Sequence, residues 1–178
     1  MNDALPATSG MLSAAEDSAT FDRWVRDELL RVEQALSAWV PAEAPAGLGQ
    51  AMRYGVLDGG KRLRPLLVRA ACEAVDGHAD AALRAAVAVE LIHAYSLVHD
   101  DMPCMDNDVL RRGKPTVHVQ FGEASAMLAG DAMQALAFEV LTPDSGVAPA
   151  SPYCTCTVGL PRRSTSLSMQ GMSSCTSE

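Results

Sequence analysis

Residues 80–101 of this 178-residue chain read DAALRAAVAVELIHAYSLVHDD and form its most informative segment for fold class. Apolar residues recur there at steps of three and four, which is typical of an amphipathic helix whose apolar stripe faces a core. This stripe consists of Leu83, Val87, Leu91, Ala94, Tyr95 and Val98. Because Val89 and Ile92 widen it, the sequence predicts a mostly buried helix, which Pro103 ends.

A polar stripe follows the same predicted helix. It consists of Glu90, His93, Leu97, Asp100 and Asp101, which lie at helical spacing. Burying ionisable side chains is costly unless they are paired or bind a metal. We therefore expect the polar stripe to line a cavity that water can enter.

The surrounding segments predict further helices and almost no strand. Similar periodicity covers residues 21–39, 48–57, 65–75 and 123–141, with Pro41, Gly59, Gly60 and Gly77 at the breaks. The chain has 29 alanines and only 4% aromatic residues, which favours closely packed helices over a β-sandwich or barrel. Only residues 117–119 are a strand candidate, and they are too few to define one. The sequence thus predicts an all-α fold.

Composition and charge narrow the functional class. The chain carries 22 acidic and 14 basic residues, a formal charge of −8, which argues against nucleic acid as a partner. No apolar run reaches the roughly 18 residues that a membrane span needs, so we expect no transmembrane segment. Residues 1–20 contain three acidic residues and no lysine or arginine, unlike secretory or mitochondrial signals. These features favour a cytoplasmic enzyme.

The chain divides into three predicted parts. We expect a flexible N-terminus over residues 1–20, a helical domain over residues 21–144, and a disordered or low-order tail over residues 145–178. Ser, Thr and Cys supply 14 of 28 positions in residues 151–178 but only 5 of 90 in residues 51–140. A natural tail, a cloning remnant or translation in a shifted reading frame would explain so abrupt a change, and we favour the shifted frame.

An aspartate-rich run follows the predicted helix. Residues 100–108, DDMPCMDND, place four carboxylates where that helix ends. A helix C-terminus already carries partial negative charge, so anions there need a compensating cation. Carboxylate oxygens suit Mg²⁺ or Ca²⁺, and Mg²⁺ typically takes one or two carboxylates together with water and substrate phosphates. The run therefore predicts a magnesium site that receives a phosphorylated substrate.

Two basic segments supply complementary charge. Residues 59–65, GGKRLRP, put three cations on a glycine-initiated turn at a helix start, and residues 111–114, RRGK, follow the aspartates directly. Helix N-termini and arginine side chains both bind phosphate groups well. We expect two phosphorylated ligands, one bound through the metal and one bound directly.

These segments, in this order, resemble the trans-prenyltransferases, also called polyprenyl synthases. The resemblance rests on GGKRLRP at 59–65, HAYSLVH at 93–99, the aspartate run, LRRGKPT at 110–116 and LAGDA at 128–132. Pro103 and Cys104 inside the aspartate run are similar to the form found in bacterial farnesyl diphosphate synthases. The resemblance covers about residues 20–142 and implies the N-terminal part of an isoprenoid-synthase-type helical bundle.

The resemblance implies a magnesium-dependent head-to-tail condensation, with Mn²⁺ as the alternative metal. Isopentenyl diphosphate would react with an allylic diphosphate, dimethylallyl or geranyl, to give farnesyl diphosphate, while the metal stabilises the departing diphosphate. The implied roles are metal binding and catalysis for Asp100, Asp101 and Asp106, isopentenyl diphosphate binding for Lys61, Arg64, His93 and Arg112, and allylic diphosphate binding for Arg111. The family also implies a homodimer.

The same resemblance implies a physical explanation of product length. The growing chain is expected to run from the aspartates back along the helix, so a bulky side chain about one turn before Asp100 would end the tunnel. Tyr95 and Ser96 stand five and four residues before Asp100. An aromatic at Tyr95, together with the Pro103-Cys104 pair, favours a C15 product. Geranyl and geranylgeranyl diphosphate are the alternative products, and an ordinary core position is the alternative role of Tyr95.

Part of the family pattern is missing from this sequence. The family's second aspartate-rich motif, with a further lysine and a Phe-Gln pair, does not occur in the 178 residues, so we expect this chain to be inactive alone. Two other classes stay open. One is a non-catalytic subunit of a heteromeric prenyltransferase, and the other is an inert helical bundle with an acidic loop.

Overall fold

The computed structural model describes the backbone of residues 9–142 and the side chains of residues 17–142. Within that range it has the helices α1 (Ser9–Trp39), α2 (Leu48–Val56), α3 (Leu63–Ala74), α4 (Ala79–Asp100), α5 (Val117–Phe121) and α6 (Glu123–Leu141). A one-turn 3-10 helix, Pro45–Gly47, precedes α2, and the two-residue strands β1 (Leu110–Arg111) and β2 (Lys114–Pro115) form an antiparallel hairpin. The predicted all-α fold is confirmed.

Helix α4 lies at the centre of the fold. It packs chiefly against α6 and α3, and it also contacts α1 and α2. Val87 and Leu91 of α4 are fully buried, as are Met133 of α6 and Leu36 of α1. Burying a large aliphatic side chain contributes about 1.5–3 kcal/mol, so the apolar stripe of α4 anchors the core as predicted.

Small residues let α4 and α6 approach closely. The alanines nearly or fully buried on these two helices are Ala82, Ala86, Ala88, Ala94, Ala126, Ala129 and Ala137. Gly130 of α6 is required for the same reason, because a Cβ there would overlap the ring of His99. The alanine-rich composition is thus explained largely by this helix interface.

Helix α1 begins at Ser9, twelve residues before the predicted start at Phe21. Residues 9–20, predicted as part of a flexible N-terminus, are therefore helical in the structure, and residues 17–20 are exposed along the helix. The helix was predicted to start at Phe21 because the apolar residues recur at helical spacing only from that position onward. Three alanines between residues 9 and 20 favour helix by their intrinsic propensity, without an apolar face to signal it.

Two elements between α4 and α6 differ from the prediction. Residues 117–119, the one strand candidate, lie in helix α5, and the hairpin was not predicted. At the hairpin's turn, Arg112 has φ 52° and Gly113 has φ 78°, and positive φ at both positions matches the twist of a two-residue hairpin loop. Strands of two residues are too short to produce an alternating pattern in the sequence.

Helix α4 is long and apolar enough to cross a membrane by length and composition alone, with a mean hydropathy of 1.4 over an 18-residue window. Because Arg84, Glu90 and His93 interrupt α4, it contains no uninterrupted apolar run of 18 residues, and the absence of a transmembrane segment stays a prediction. The core helix of a globular bundle passes the same test, and α4 packs between α3 and α6.

The predicted tail over residues 145–178 lies outside the described residues, as do residues 1–8. The boundary near residue 144 and the shifted reading frame therefore stay predictions.

Candidate active site

The carboxylates predicted to bind metal lie at the C-terminal end of α4. The carbonyl oxygen of Asp100 accepts a 2.8 Å hydrogen bond from the backbone amide of Asp106. Met102 is 4% exposed, and its carbonyl oxygen accepts a 3.0 Å hydrogen bond from the amide of Asn107. The aspartate loop, residues 101–109, is thus folded back onto the helix end, and both Asp100 and Asp106 are exposed there.

Asp101 lies in a different environment. It is 2% exposed, and the guanidinium of Arg111 contacts both of its oxygens: Nε donates to Oδ2 at 2.8 Å, and Nη2 donates to Oδ1. The hydrogen bond to Asp101 outweighs the effect of burial and raises the pKa of Arg111 above its usual value. The two side chains therefore form a bidentate, charged pair.

Asp100 and Asp106 fit a magnesium ion better than Asp101 does. Neither forms an ion pair within residues 17–142, and two carboxylates are what Mg²⁺ typically takes from a protein. No set of three or more His, Cys, Asp or Glu side chains converges as a metal site among the described residues. The fold thus brings two of the three predicted ligands to one edge and pairs the third with Arg111.

The hairpin is attached to the C-terminal end of α2. The Tyr54 hydroxyl of α2 donates to the carbonyl of Pro115 at 2.8 Å. Two side chains of the hairpin make the other contacts: Lys114 donates to the carboxylate of Asp58, and Arg112 donates to the carbonyl of Gly59. Each contact joins residues more than fifty positions apart in the sequence. Together they hold Arg111 and Arg112 beside the segment that links α2 to α3.

The basic turn, residues 59–64, consists of the last four residues of that segment and the first two residues of α3. Gly60 has φ 142°, which glycine adopts far more readily than other residues, and a Cβ there would lie 3.2 Å from Nη2 of Arg112. The glycine therefore lets the Arg112 guanidinium pack against the turn. Lys61 and Arg64 of the turn are exposed, and neither forms an ion pair within the described residues.

His93 of α4 lies among these cations. Burial and the positive charge of Arg64 lower the pKa of His93 below its usual value, and Glu90 acts in the opposite direction. Arg112 and Arg111 lower it further. The hairpin also contacts the basic turn directly, because the Arg112 guanidinium donates to the carbonyl of Gly59 and packs against Gly60. Three residues predicted to bind isopentenyl diphosphate are thus brought together, and Lys61 lies on the same turn.

The polar stripe of α4 is divided between two environments. Glu90 is 4% exposed and forms a 2.7 Å ion pair with Arg62, so the prediction that this part lines a cavity was wrong. A buried counter-charge supplied by the fold, not water, compensates Glu90. Toward the helix end, Leu97 and Asp101 do line a cavity of about 40 Å³, which admits water but is too small for a diphosphate.

Tyr95 and Ser96, the predicted chain-length positions, are both partly buried on α4. The Tyr95 ring packs against the core and meets the His99 ring edge-on, with centroids 5.7 Å apart. Ser96 donates a 2.9 Å hydrogen bond to the carbonyl of His93. Tyr95 thus occupies a core position, and its effect on product length stays a prediction.

Sequence reasoning missed Arg62, which is buried, and the Lys114–Asp58 pair, which attaches the hairpin to α2. From sequence alone, every cation in a basic segment is a candidate for binding a ligand. Only burial distinguishes a structural cation from one that is free to bind a ligand. The available signal was Glu90, an acidic residue on a helix predicted to be mostly buried, which requires a buried cation.

Known proteins share this arrangement of segments. The family model described as polyprenyl synthetase matches residues 45–152, a range that includes the basic turn, α4, the aspartate loop and the hairpin. The chain is 48% identical over 136 residues to a chloroplastic geranylgeranyl pyrophosphate synthase of Capsicum annuum, which covers 76% of this chain and 37% of that protein. It is 58% identical over 110 residues to the chloroplastic heterodimeric geranylgeranyl pyrophosphate synthase large subunit 1 of Arabidopsis thaliana, covering 62% and 30% respectively.

Solved structures give the same picture. An FPP/GFPP synthase from Zymomonas mobilis matches with a TM-score of 0.66 and 51% identity, covering 70% of this chain and 46% of that one. A geranyltranstransferase from Thermotoga maritima matches with a TM-score of 0.63 and 41% identity, covering 66% and 44%. The chain spans about a third of the length of these curated relatives and under half of the solved structures.

Proposed function

Because this chain belongs to the polyprenyl synthetase family, we propose that it takes part in head-to-tail prenyl transfer, the condensation of isopentenyl diphosphate with an allylic diphosphate. The allylic substrate in this proposal is dimethylallyl or geranyl diphosphate. The family match supports prenyl transfer as the reaction class, whereas these substrates, the metal and the product are the more specific parts of the proposal.

One observation carries the proposal: two cationic segments and an acidic helix end meet at one place. Arg112 of the hairpin donates to the carbonyl of Gly59 in the basic turn, and Arg111 of the hairpin contacts Asp101 at the end of α4. Cations beside a pair of exposed carboxylates suit a reaction between two diphosphates. One diphosphate would bind the cations directly and the other would bind through a divalent metal.

In the proposed reaction, cationic side chains hold the two substrates in register. Isopentenyl diphosphate would be bound by Lys61, Arg64, His93 and Arg112, and the allylic diphosphate by Arg111. Arginine presents paired donors to phosphate oxygens, so these contacts fix orientation as well as position. Orientation is the main contribution of the protein here, because holding two reactants in an attack geometry removes much of the entropic cost of their meeting.

Asp100 and Asp106 would hold Mg²⁺, with Mn²⁺ as the alternative. When bound, the metal would stabilise the negative charge on the departing diphosphate. Asp101 has another part in this proposal: its two contacts hold the Arg111 guanidinium at the end of α4, beside the two metal-binding carboxylates.

The chain length of the product is the most specific part of the proposal. The aromatic side chain of Tyr95 favours farnesyl diphosphate, whereas the curated relatives described above are named geranylgeranyl pyrophosphate synthases and one solved relative is named an FPP/GFPP synthase. We propose a product of C15 or C20 and Tyr95 as the residue that selects between them. In a chain extended in frame to family length, Tyr95→Ala should lengthen the product, and Tyr95→Phe, which keeps the ring, should not. An unchanged product profile for Tyr95→Ala would contradict this role.

The chain covers less than half of each relative described above, so turnover by this chain is not part of the proposal. We expect no turnover from the chain alone, but we expect it to bind diphosphate, because the basic turn, His93 and the hairpin all lie within it. A prenyl-transfer assay with isopentenyl and geranyl diphosphates and Mg²⁺ checks the first expectation, and robust turnover would contradict it.

Calorimetric titration of the 178-residue chain with isopentenyl diphosphate tests the proposed site. Binding should weaken about tenfold or more in Arg64→Gln, because hydrogen bonds to charged groups contribute about 1.5–3 kcal/mol. Arg26→Gln is the matched control, since Arg26 is also an exposed arginine but lies on α1. No binding by the unmodified chain, or an equal loss in the control, would contradict the proposal.

A subunit of a heteromeric prenyltransferase is the second candidate, favoured by the relative that is named a heterodimeric large subunit. The homodimer expected from the family is the competing assembly. Sedimentation of the chain alone and with a candidate catalytic partner distinguishes the two. The cytoplasmic location also stays a proposal.

A further inference from the structure

Arg62 has the least accessible side chain of the basic turn and a backbone conformation unusual for its type. Its φ is 46°, in the left-handed region, and the residue is 4% exposed. A non-glycine residue pays about 1–2 kcal/mol for that conformation, so surrounding contacts must stabilise it. The backbone turn directs the Arg62 side chain inward, while its neighbour Lys61 is exposed.

Three acceptors from three different helices contact the Arg62 guanidinium. Nε donates to Glu33 of α1 at 2.6 Å, Nη1 donates to Glu90 of α4 at 2.7 Å, and Nη2 donates to the carbonyl of Val56 in α2 at 2.7 Å. Burial lowers the pKa of Arg62, but the hydrogen bonds to Glu33 and Glu90 outweigh it and leave the pKa raised. Arg62 therefore stays charged and connects α1, α2 and α4 at the start of α3.

We propose that Arg62 is a positioning residue: its contacts with Glu33, Glu90 and Val56 fix the basic turn in the conformation that presents Lys61 and Arg64 to a diphosphate and receives Arg112 at Gly60. This inference rests on the proposed function in so far as the ligand is a diphosphate. The positioning itself concerns the backbone of residues 59–64 and is measurable without a ligand.

Arg69, on the α3 helix that begins directly after Arg62, provides a matched control. It is also 4% exposed, and it also combines a buried glutamate with a backbone carbonyl: Nε donates to Glu28 at 2.6 Å, and Nη1 donates to Ala79 at 2.6 Å. None of its described contacts reaches the basic turn. Replacing either arginine by lysine removes a buried fork of donors at similar cost to stability, but only one replacement should disturb the turn.

The experiment compares Arg62→Lys with Arg69→Lys in the full 178-residue chain. Backbone order parameters from ¹⁵N relaxation should fall from about 0.85 to below about 0.6 for residues 59–61 in Arg62→Lys and stay unchanged in Arg69→Lys. Titration with inorganic diphosphate should show about tenfold weaker binding for Arg62→Lys, by analogy with metal sites, where loss of a contact that orients a ligand weakens binding about 10–100-fold. Arg69→Lys should change the affinity by less than about twofold.

Equal order parameters in the two variants, or equal losses of affinity, would overturn the inference and leave Arg62 as a stabilising residue only. Should Arg62→Lys fail to fold, Glu33→Gln replaces it, because the Glu33 side chain is 39% exposed and tolerates substitution better. Absence of diphosphate binding by the unmodified chain would contradict the proposed function, whereas the order parameters decide the positioning role separately.

Discussion

The middle and the C-terminal end of the polar stripe on α4 carry carboxylates in opposite states. Glu90, in the middle, is buried and paired with Arg62 at 2.7 Å. Asp100, at the end, is exposed and forms no ion pair within residues 17–142. The spacing of the sequence puts both on one face of the helix. Their roles differ because Arg62 neutralises the charge of Glu90 within the fold, whereas a bound ligand would have to neutralise the charge of Asp100.

Unfolding free energy should separate these two carboxylates most strongly. Glu90→Ala removes one partner of a buried ion pair and should destabilise the chain by about 3–5 kcal/mol. Asp100→Ala removes an exposed charge and should change stability by no more than about 0.5 kcal/mol. Urea unfolding followed by circular dichroism measures both. Similar losses in the two variants would mean that the end of α4 also has a structural counter-charge.

Metal-dependent ligand binding should show the reverse order. Asp106→Asn should weaken the Mg²⁺-dependent part of diphosphate binding about tenfold or more, because a charge-assisted contact contributes about 1.5–3 kcal/mol. Calorimetric titrations with inorganic diphosphate, with and without Mg²⁺, isolate that part. Asp108→Asn is the control, since Asp108 is an exposed aspartate of the same loop without a predicted ligand role. An equal loss in the control would mean that the loop acts only through its total charge.

The sequence predicted the elements whose ends are determined locally. The predicted helices over 48–57, 65–75, 80–101 and 123–141 agree with α2, α3, α4 and α6 to within two residues at each end. Glycines near their ends and the apolar period of three and four are properties of neighbouring residues. The hairpin has no such local signal, because its two-residue strands depend on contacts with Tyr54 and Asp58, more than fifty residues earlier in the chain.

For the candidate site, the sequence identified residue types but not their partners. It proposed Asp101 as a metal ligand, and the structure pairs Asp101 with Arg111, ten residues later. It predicted that Glu90 lines a cavity. In the structure Glu90 pairs instead with Arg62, which lies 28 residues earlier on a non-helical turn. Neither pairing can be read from periodicity, because a turn with positive φ directs its side chains independently of the helical period.

Proton uptake at His93 is the smallest effect that we expect. His93 stands three residues beyond Glu90, but the cations near it lie in the basic turn and the hairpin, and burial together with Arg64 keeps its pKa below the usual value of about 6.5. A bound diphosphate would cancel part of that positive charge and raise the pKa again. Binding should therefore take up a fraction of a proton at pH values near and below the ordinary histidine pKa, and it should strengthen as the pH falls. Titrations in buffers of different ionisation enthalpy measure this uptake, and His93→Gln reports the part that belongs to the ligand's own phosphate oxygens. Equal uptake in both proteins would mean that the diphosphate binds away from His93. The cations near His93, which are Arg64, Arg111 and Arg112, would then have a purely structural role, as the Arg62–Glu90 pair has.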